Sequence, residues 1–212
     1  MVQSLNLSGI VNAFRVLWNP SLAMPHVIVE GKSLLYRKKV SDNLSASPKK
    51  DIRQINFANL KRLGQIKAIG FDKDNCLTAP YVSTIHPPFQ EAWEECKSTF
   101  SKENVVIVSN SAGTADDKDG REAAKLEESL DVTVLRHQEK KPSGGKALAD
   151  HMAPLPAHQI AFVGDRILTD VLFGNLNGNL TIWTRQVVTE QGDNKPAMMV
   201  KLYRLMSLYM GN

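Results

Sequence analysis

The amino-acid sequence predicts an α/β fold, a doubly wound (Rossmann-like) parallel sheet of about five strands behind a basic N-terminal extension. Two observations predict this fold. Short apolar segments rich in β-branched residues alternate with segments of helical periodicity, which is typical of βαβ units. Four of the apolar segments also end in polar or charged residues, as expected where parallel strands open into a site at their carboxyl ends.

The central predicted strand is the apolar run that begins at Ile66 and ends abruptly at Asp72 and Asp74. Such a run is typical of a strand buried on both faces. Residues i and i+2 of an extended chain share a face, so the two carboxylates can converge on one point. Their repulsion favours a hard divalent cation such as Mg²⁺ between them. For this stretch alone, a solvated Asp-Asn turn is the alternative.

The N-terminal segment predicts an amphipathic helix that ends at Pro20. Its apolar face carries Leu7, Ile10, Val11, Phe14, Leu17 and Trp18. The polar face is nearly uncharged, so the helix could lie in a lipid interface, and docking on the core of the protein is an equal alternative. After a polar loop, a short helix is predicted with Asn56 as its cap and Gly64 as its end.

Beyond the central strand, residues 79–88 contain three prolines and predict an irregular flap. Further strands are predicted over residues 105–108, 132–135, 160–163 and 180–183, and helices over 89–100, 117–130 and 146–152. Asp116, Asp117 and Asp119 suggest a metal site, but acids favour helix N-termini, and we interpret them as caps. An apolar stripe after Pro196 predicts a C-terminal helix that packs on the domain, joins subunits or contacts lipid.

We divide the 212-residue chain into a basic arm, residues 1–55, and a domain, residues 56–212. Residues 1–65 hold 10 Lys or Arg against 3 acids, and the remainder holds 16 against 19. A basic arm indicates an anionic partner, either membrane or nucleic acid. Two cysteines give no disulfide framework, the histidines lack zinc-ligand spacing, and no apolar run reaches the roughly 20 residues of a membrane-spanning helix.

The four polar strand endings carry the strongest functional signal. They read Asp72-Lys-Asp74-Asn75, Ser109-Asn110, Lys141-Pro142, and Gly164-Asp165 with Asp170. In this order they resemble the four motifs of haloacid-dehalogenase (HAD) phosphatases. Within that superfamily, Asp-Lys-Asp-Asn-Cys-Leu-Thr and Gly-Asp-Arg-x-x-Thr-Asp are similar to the mitochondrial phosphatidylglycerophosphate phosphatases of fungi. The likeness covers about 66–185 and is looser before residue 56, and Cys76 departs from it where Thr or Val is usual.

The resemblance implies a HAD-like fold and an Mg²⁺-dependent phosphatase that works through an aspartyl-phosphate. Asp72 would be the nucleophile, and Asp74 would protonate the leaving group and then activate water. Asp72, Asp165 and the main-chain carbonyl of Asp74 would hold Mg²⁺. Asp170 would support this site or serve as an occasional ligand.

The other two motifs are expected to bind the phosphoryl group. The Ser109 hydroxyl and the main-chain amides that follow, beginning with Asn110, would bind phosphoryl oxygens. Lys141 would neutralise the charge on Asp72 and on the phosphoryl group. Lys140 is the less favoured choice, because the lysine of the family precedes proline.

Spacing bears on the substrate, since 37 positions separate Asp72 from Ser109 and 32 separate Ser109 from Lys141. The predicted flap, helices and strands use both intervals, so we expect no cap domain. An open site suits a phosphate on a large body. The basic arm and the family resemblance favour an anionic phospholipid, phosphatidylglycerophosphate, converted to phosphatidylglycerol for cardiolipin synthesis. The expected location is the mitochondrial matrix, peripheral on the inner membrane.

Two other functions are weighed against this one. A capless phosphatase of a polynucleotide 3′-end or a phosphoprotein is the enzyme alternative. The arm lacks the interleaved aromatic residues that single strands favour, so we expect no nucleic-acid partner. From another class, the chain could be a catalytically silent membrane-binding module, against which the intact charged motifs argue.

Overall fold

The computed structural model of the chain describes residues 7–28, 51–184 and 188. Six strands, all parallel, form one sheet in the order β1-β6-β5-β2-β3-β4. The strands are β1 (Val27–Ile28), β2 (Ala68–Phe71), β3 (Val105–Ile107), β4 (Thr133–Val134), β5 (Ile160–Gly164) and β6 (Leu180–Trp183). The predicted parallel α/β sheet is confirmed. It has one strand, β1, that was not predicted.

The described helices are α1 (Leu7–Trp18), α2 (Phe57–Arg62), α3 (Gln90–Phe100), α4 (Arg121–Leu130), α5 (Gly145–His151) and α6 (Leu172–Leu176). A π-helix, Ile167–Val171, leads into α6. No helix was predicted there, because every residue of the π-helix is buried, so the segment has no solvent-exposed face whose polar residues would mark a helical period. The cap predicted for α2 is confirmed, since Asn56 Oδ1 accepts a hydrogen bond from the Asn59 amide at 2.9 Å.

Helix α4 begins four residues later than predicted, because Asp117 lies before it as a cap. The Asp117 carboxylate accepts hydrogen bonds from the amides of Glu122 at 3.2 Å and Ala123 at 3.0 Å. Burial opposes the change, but these amides and a third one lower the pKa of Asp117. Asp116 pairs with Lys140, and Asp119 with Arg121. The interpretation of these aspartates as caps is confirmed for Asp117, whereas Asp116 and Asp119 form the ion pairs just named.

Alternate residues of the strands pack on opposite faces of the sheet. Ile69 and Phe71 of β2 belong to a cluster with side chains of α2, α3 and α4. Ala68 of the same strand belongs to a second cluster, with side chains of α5 and α6. The sheet is therefore covered by helices on both faces, which explains why its strands are apolar throughout.

Helix α1 docks through one face and exposes the other. Val16 is buried in a cluster with side chains of the π-helix, including Ile167 and Val171. The side chains of Val11, Phe14 and Trp18 on the predicted apolar face are 57%, 57% and 83% exposed. The two alternatives for this helix are thus not exclusive, because Val16 packs on the domain while Val11, Phe14 and Trp18 stay exposed.

Parts of the sequence predictions fall outside the described residues. These are residues 29–50 of the basic arm and the C-terminal helix after Pro196. The division at residue 55 stays a prediction, although β1 pairs with β6 within the sheet. Within the described ranges, helices are too short or too polar to cross a bilayer.

Candidate active site

The strand endings meet at the carboxyl edge of the sheet. Hydrogen bonds between strands continue past the ends of the strands, as the Asp72 amide donates to the Val163 carbonyl at 2.9 Å and the Val108 amide to the Phe71 carbonyl at 2.9 Å. Strand β2 lies between β3 and β5, so the chain leaves it in one direction to β3 and later returns on its other side. This is the topological switch point where open α/β sheets bind ligands.

Three buried carboxylates converge at this edge. Asp72, Asp165 and Asp170 each offer an oxygen, and the three oxygens lie within 4.8 Å of one another. Their side chains are 10%, 1% and 2% exposed. Carboxylates that lie this close together and are buried from solvent repel one another unless a cation lies among them. An all-oxygen set of this kind suits Mg²⁺, so the residues present fit the predicted metal.

Lys141 is the cation that the chain itself supplies. Its ammonium donates to Asp72 Oδ1 at 2.6 Å and to Asp170 Oδ1 at 2.7 Å, and its side chain is 1% exposed. Burial acts to lower the pKa of Lys141, but Asp170 and Asp72 raise it well above its ordinary value, so the group stays charged. Three carboxylates against this ammonium and the Arg166 guanidinium, whose Nε lies 4.0 Å from Asp165 Oδ2, still leave an excess of negative charge that a metal cation would offset.

Asp170 is a full member of the acid cluster and binds Lys141, whereas the sequence indicated a supporting residue or an occasional ligand. Burial raises the pKa of Asp170, an effect that Lys141 opposes. Its Oδ2 accepts a hydrogen bond from the Arg166 amide at 3.0 Å, which fixes the carboxylate between that amide and Lys141. Gly164 makes room for it, because a Cβ at Gly164 would lie 2.3 Å from the Asp170 Cβ. In the Gly164-Asp165 pair, Gly164 therefore allows Asp170 to pack closely, and Asp165 contributes a carboxylate to the cluster.

The second motif lies beside Lys141. Ser109 Oγ accepts a hydrogen bond from the Ser111 amide at 3.1 Å. The Asn110 side chain is bound to the main chain of Lys141, accepting from its amide at 2.7 Å and donating to its carbonyl at 3.3 Å. The side chain of Asn110 thus positions Lys141. The phosphate contact predicted for Asn110 is the one through its main-chain amide.

His137 joins the second and third motifs and was missed by sequence reasoning. Its Nε2 lies 3.0 Å from the Ser109 carbonyl and its Nδ1 lies 2.6 Å from the Glu139 carbonyl. Burial lowers the pKa of His137, although both carbonyl contacts oppose that change. His137 has no signal in the sequence, because no other candidate ligand or catalytic residue lies at a characteristic spacing from it.

The Asp74 side chain is not part of the acid cluster. Its Oδ1 pairs with the ammonium of Lys73 and accepts a hydrogen bond from the Tyr81 amide at 3.2 Å. Asp74 therefore points toward the flap, so its carboxylate does not join that of Asp72 in the acid cluster as the sequence suggested. The metal contact expected for Asp74 is the one through its main-chain carbonyl. The pairing with Lys73 was not predicted, since a residue between two aspartates has no fixed side-chain direction in a sequence.

Two alternatives considered from the sequence can be compared with the geometry. Lys140 pairs with Asp116 at 2.6 Å, so Lys141 is the lysine of the two that reaches Asp72. Cys76 is buried, and burial together with the nearby Asp72, Asp165 and Asp170 raises the pKa of its thiol well above the ordinary value. A thiol kept protonated is a poor nucleophile, as expected.

The chain is similar to proteins named as phosphatidylglycerophosphate phosphatases. The family described as mitochondrial PGP phosphatase matches residues 7–189. Phosphatidylglycerophosphatase GEP4, mitochondrial, of Saccharomyces cerevisiae is 32% identical over 95% of this chain and 99% of its own length. The chloroplastic phosphatidylglycerophosphate phosphatase 1 of Chlamydomonas reinhardtii is 38% identical over 88% of this chain and 62% of its own. The Arabidopsis thaliana protein named chloroplastic/mitochondrial is 36% identical over 86% and 47%.

Proposed function

The chain belongs to the mitochondrial PGP phosphatase family, and we propose that it is an Mg²⁺-dependent phosphatase that converts phosphatidylglycerophosphate to phosphatidylglycerol in cardiolipin synthesis. The observation that carries the proposal is the buried contact of Lys141 with Asp72 and Asp170 beside Asp165, at the switch point of the sheet. A phosphate monoester resists nucleophiles because it is an anion, so positioning and charge neutralisation make up most of its catalysis.

In the proposed reaction, an Asp72 oxygen forms a bond to phosphorus as the bond from phosphorus to the lipid oxygen breaks. Asp74 gives its proton to that oxygen, then takes one from the water that cleaves the aspartyl-phosphate and releases inorganic phosphate. Mg²⁺, held by Asp72, Asp165 and the main chain of Asp74, would supply positive charge to the reacting oxygens. Asp170 keeps Lys141 in place throughout.

Binding of the phosphoryl group is proposed for the two neighbouring motifs. The ammonium of Lys141 neutralises charge on Asp72 and on a phosphoryl oxygen. The Ser109 hydroxyl and the main-chain amides beginning at Asn110 donate to the remaining oxygens. Asn110 and His137 support these donors through the main chain of Lys141 and of Ser109.

A lipid substrate is supported by the open edge of the sheet and by the names of the relatives. Between Asp72 and Lys141 the described chain holds α3, β3, α4, β4 and short connections, with no cap domain. Phosphate on a bilayer lipid can approach such an edge directly.

The substrate is tested by Mg²⁺-dependent phosphate release from phosphatidylglycerophosphate in mixed micelles, compared with a DNA 3′-phosphate and a phosphopeptide. We expect kcat/KM to be highest for the lipid, and chelation of the metal to stop release. Faster turnover of either non-lipid substrate would contradict the lipid proposal and favour the corresponding alternative. Vesicle binding without hydrolysis of any of them would favour the silent binding module.

Peripheral binding to the inner mitochondrial membrane, on the matrix side, is part of the proposal. The supporting observation is that elements adjoining the site carry exposed apolar side chains. Phe14 and Trp18 are on α1, which packs on the π-helix that follows Asp165, and Tyr81 is on the flap beside Asp74. Large aromatic groups of this kind suit a lipid interface. A subunit contact through the C-terminal helix stays a prediction.

Replacing Phe14 and Trp18 with serine should weaken binding to anionic vesicles, because it removes apolar area without touching the docked face of α1. We expect about a tenfold or greater loss in the partition constant, measured by vesicle sedimentation. Leu63→Ser is the matched control. Leu63 is 45% exposed and lies between α2 and the amino end of β2, whereas the site is at the carboxyl ends of the strands. Unchanged binding of the double variant would contradict lipid contact through α1.

A further inference from the structure

Lys73, the residue between Asp72 and Asp74, is placed unusually for a lysine. It is 5% exposed. Its ammonium pairs with Asp74 Oδ1 and donates to the main-chain carbonyl of Val82, on the flap, at 3.3 Å. A buried lysine needs partners for its charge. Here one partner is the Asp74 carboxylate and the other is a main-chain carbonyl of the flap.

The same carboxylate oxygen has a second donor. The Tyr81 amide donates to Asp74 Oδ1 at 3.2 Å, from a residue with φ of 63°. This left-handed conformation is unfavourable for a large side chain and indicates that the surroundings hold it there. The Asp74 side chain remains 27% exposed, and within the described part of the chain its Oδ2 accepts no hydrogen bond.

We propose that Lys73 is a positioning residue for Asp74. Lys73 and the Tyr81 amide hold Oδ1, so that Oδ2 is the oxygen that carries the proton to the leaving group. As the bond between phosphorus and the ester oxygen breaks, that proton passes from Oδ2 to the ester oxygen, and Asp74 becomes a carboxylate whose charge Lys73 offsets. This inference rests on the proposed phosphatase reaction.

A variant that removes the ammonium should affect substrates according to their leaving groups. An alkyl oxygen is strongly basic and leaves well only when protonated, whereas p-nitrophenolate leaves without a proton. Lys73→Met should therefore lower kcat/KM for alkyl esters about 10- to 100-fold, which is part of what a placed general acid contributes. For p-nitrophenyl phosphate the loss should stay below about threefold.

The experiment compares three monoesters: phosphatidylglycerophosphate in mixed micelles, glycerol 3-phosphate and p-nitrophenyl phosphate. The kcat/KM is measured for the wild type, Lys73→Met, Lys73→Arg and the control Lys61→Met. Lys61 is an exposed lysine that donates to the Thr99 carbonyl, at the end of α3 that leads into the amino end of β3, whereas the site lies at the carboxyl edge of the sheet. We expect similar losses on the two alkyl esters, little loss on the aryl ester, partial recovery with arginine, and no change in the control.

Two other outcomes would overturn the inference. A loss confined to the lipid would mean that Lys73 binds the second phosphate of the substrate. Equal losses on all three esters would mean that it supports the fold alone. If Lys73→Met does not fold, as judged by circular dichroism, Lys73→Gln carries the same comparison. A wild type that hydrolyses none of the esters would contradict the proposed function instead.

Discussion

Asp72→Asn is expected to lower phosphate release by at least about 10³-fold, because the amide cannot form the aspartyl-phosphate. The substitution keeps the size of the side chain and removes a charge from the buried acid cluster, so the protein should stay folded. The measurement is release of inorganic phosphate from phosphatidylglycerophosphate at saturating Mg²⁺.

Asp119→Asn is the control for this variant, since Asp119 is exposed and pairs with Arg121 on the surface. It should keep wild-type turnover. Vesicle binding should be unchanged in both variants, because neither residue lies on α1. Turnover by Asp72→Asn within about tenfold of the wild type would show that the nucleophile is another residue.

Lys141→Met is expected to have the second largest effect, on activity and on stability together. Without the ammonium, Asp72 and Asp170 remain buried as unpaired carboxylates, and breaking a buried pair in this way costs about 3–5 kcal/mol in the free energy of unfolding. Loss of a cation at the phosphoryl group should lower kcat about 10²- to 10³-fold. Urea unfolding and steady-state kinetics measure the two effects.

Lys140→Met is the matched control for that variant, because Lys140 is the neighbouring lysine and pairs with Asp116. It should lose about 1 kcal/mol or less and keep most of its activity. If Lys140→Met is as inactive as Lys141→Met, the third motif has been assigned to the wrong lysine.

Much of the site could be predicted because its signals are local. Strand β2 is a short apolar run with charges directly after it, and three more strand endings repeat that pattern. Parallel strands bring their carboxyl ends together in any doubly wound sheet, so the grouping of Asp72, Ser109 and Asp165 follows from the fold class.

What could not be predicted depends on contacts between distant or adjacent residues. Strand β1 is two residues long and exists through its pairing with β6, which no local pattern reveals. Periodicity shows which residues of α1 share a face, yet Asn12 and Val16 rather than Phe14 lie on its buried side. The rotamer of Lys73, which decides its pairing with Asp74, has no sequence signature.

The central claim is that Asp72 accepts the phosphoryl group, and trapping of the phosphorylated protein tests it most directly. Wild-type protein with Mg²⁺ would be mixed with phosphatidylglycerophosphate labelled in its terminal phosphate, quenched in acid within milliseconds, and mapped by mass spectrometry. We expect the label on the peptide that contains Asp72, and no label when the metal is chelated. Label on another residue, or steady turnover without any labelled protein, would contradict the account.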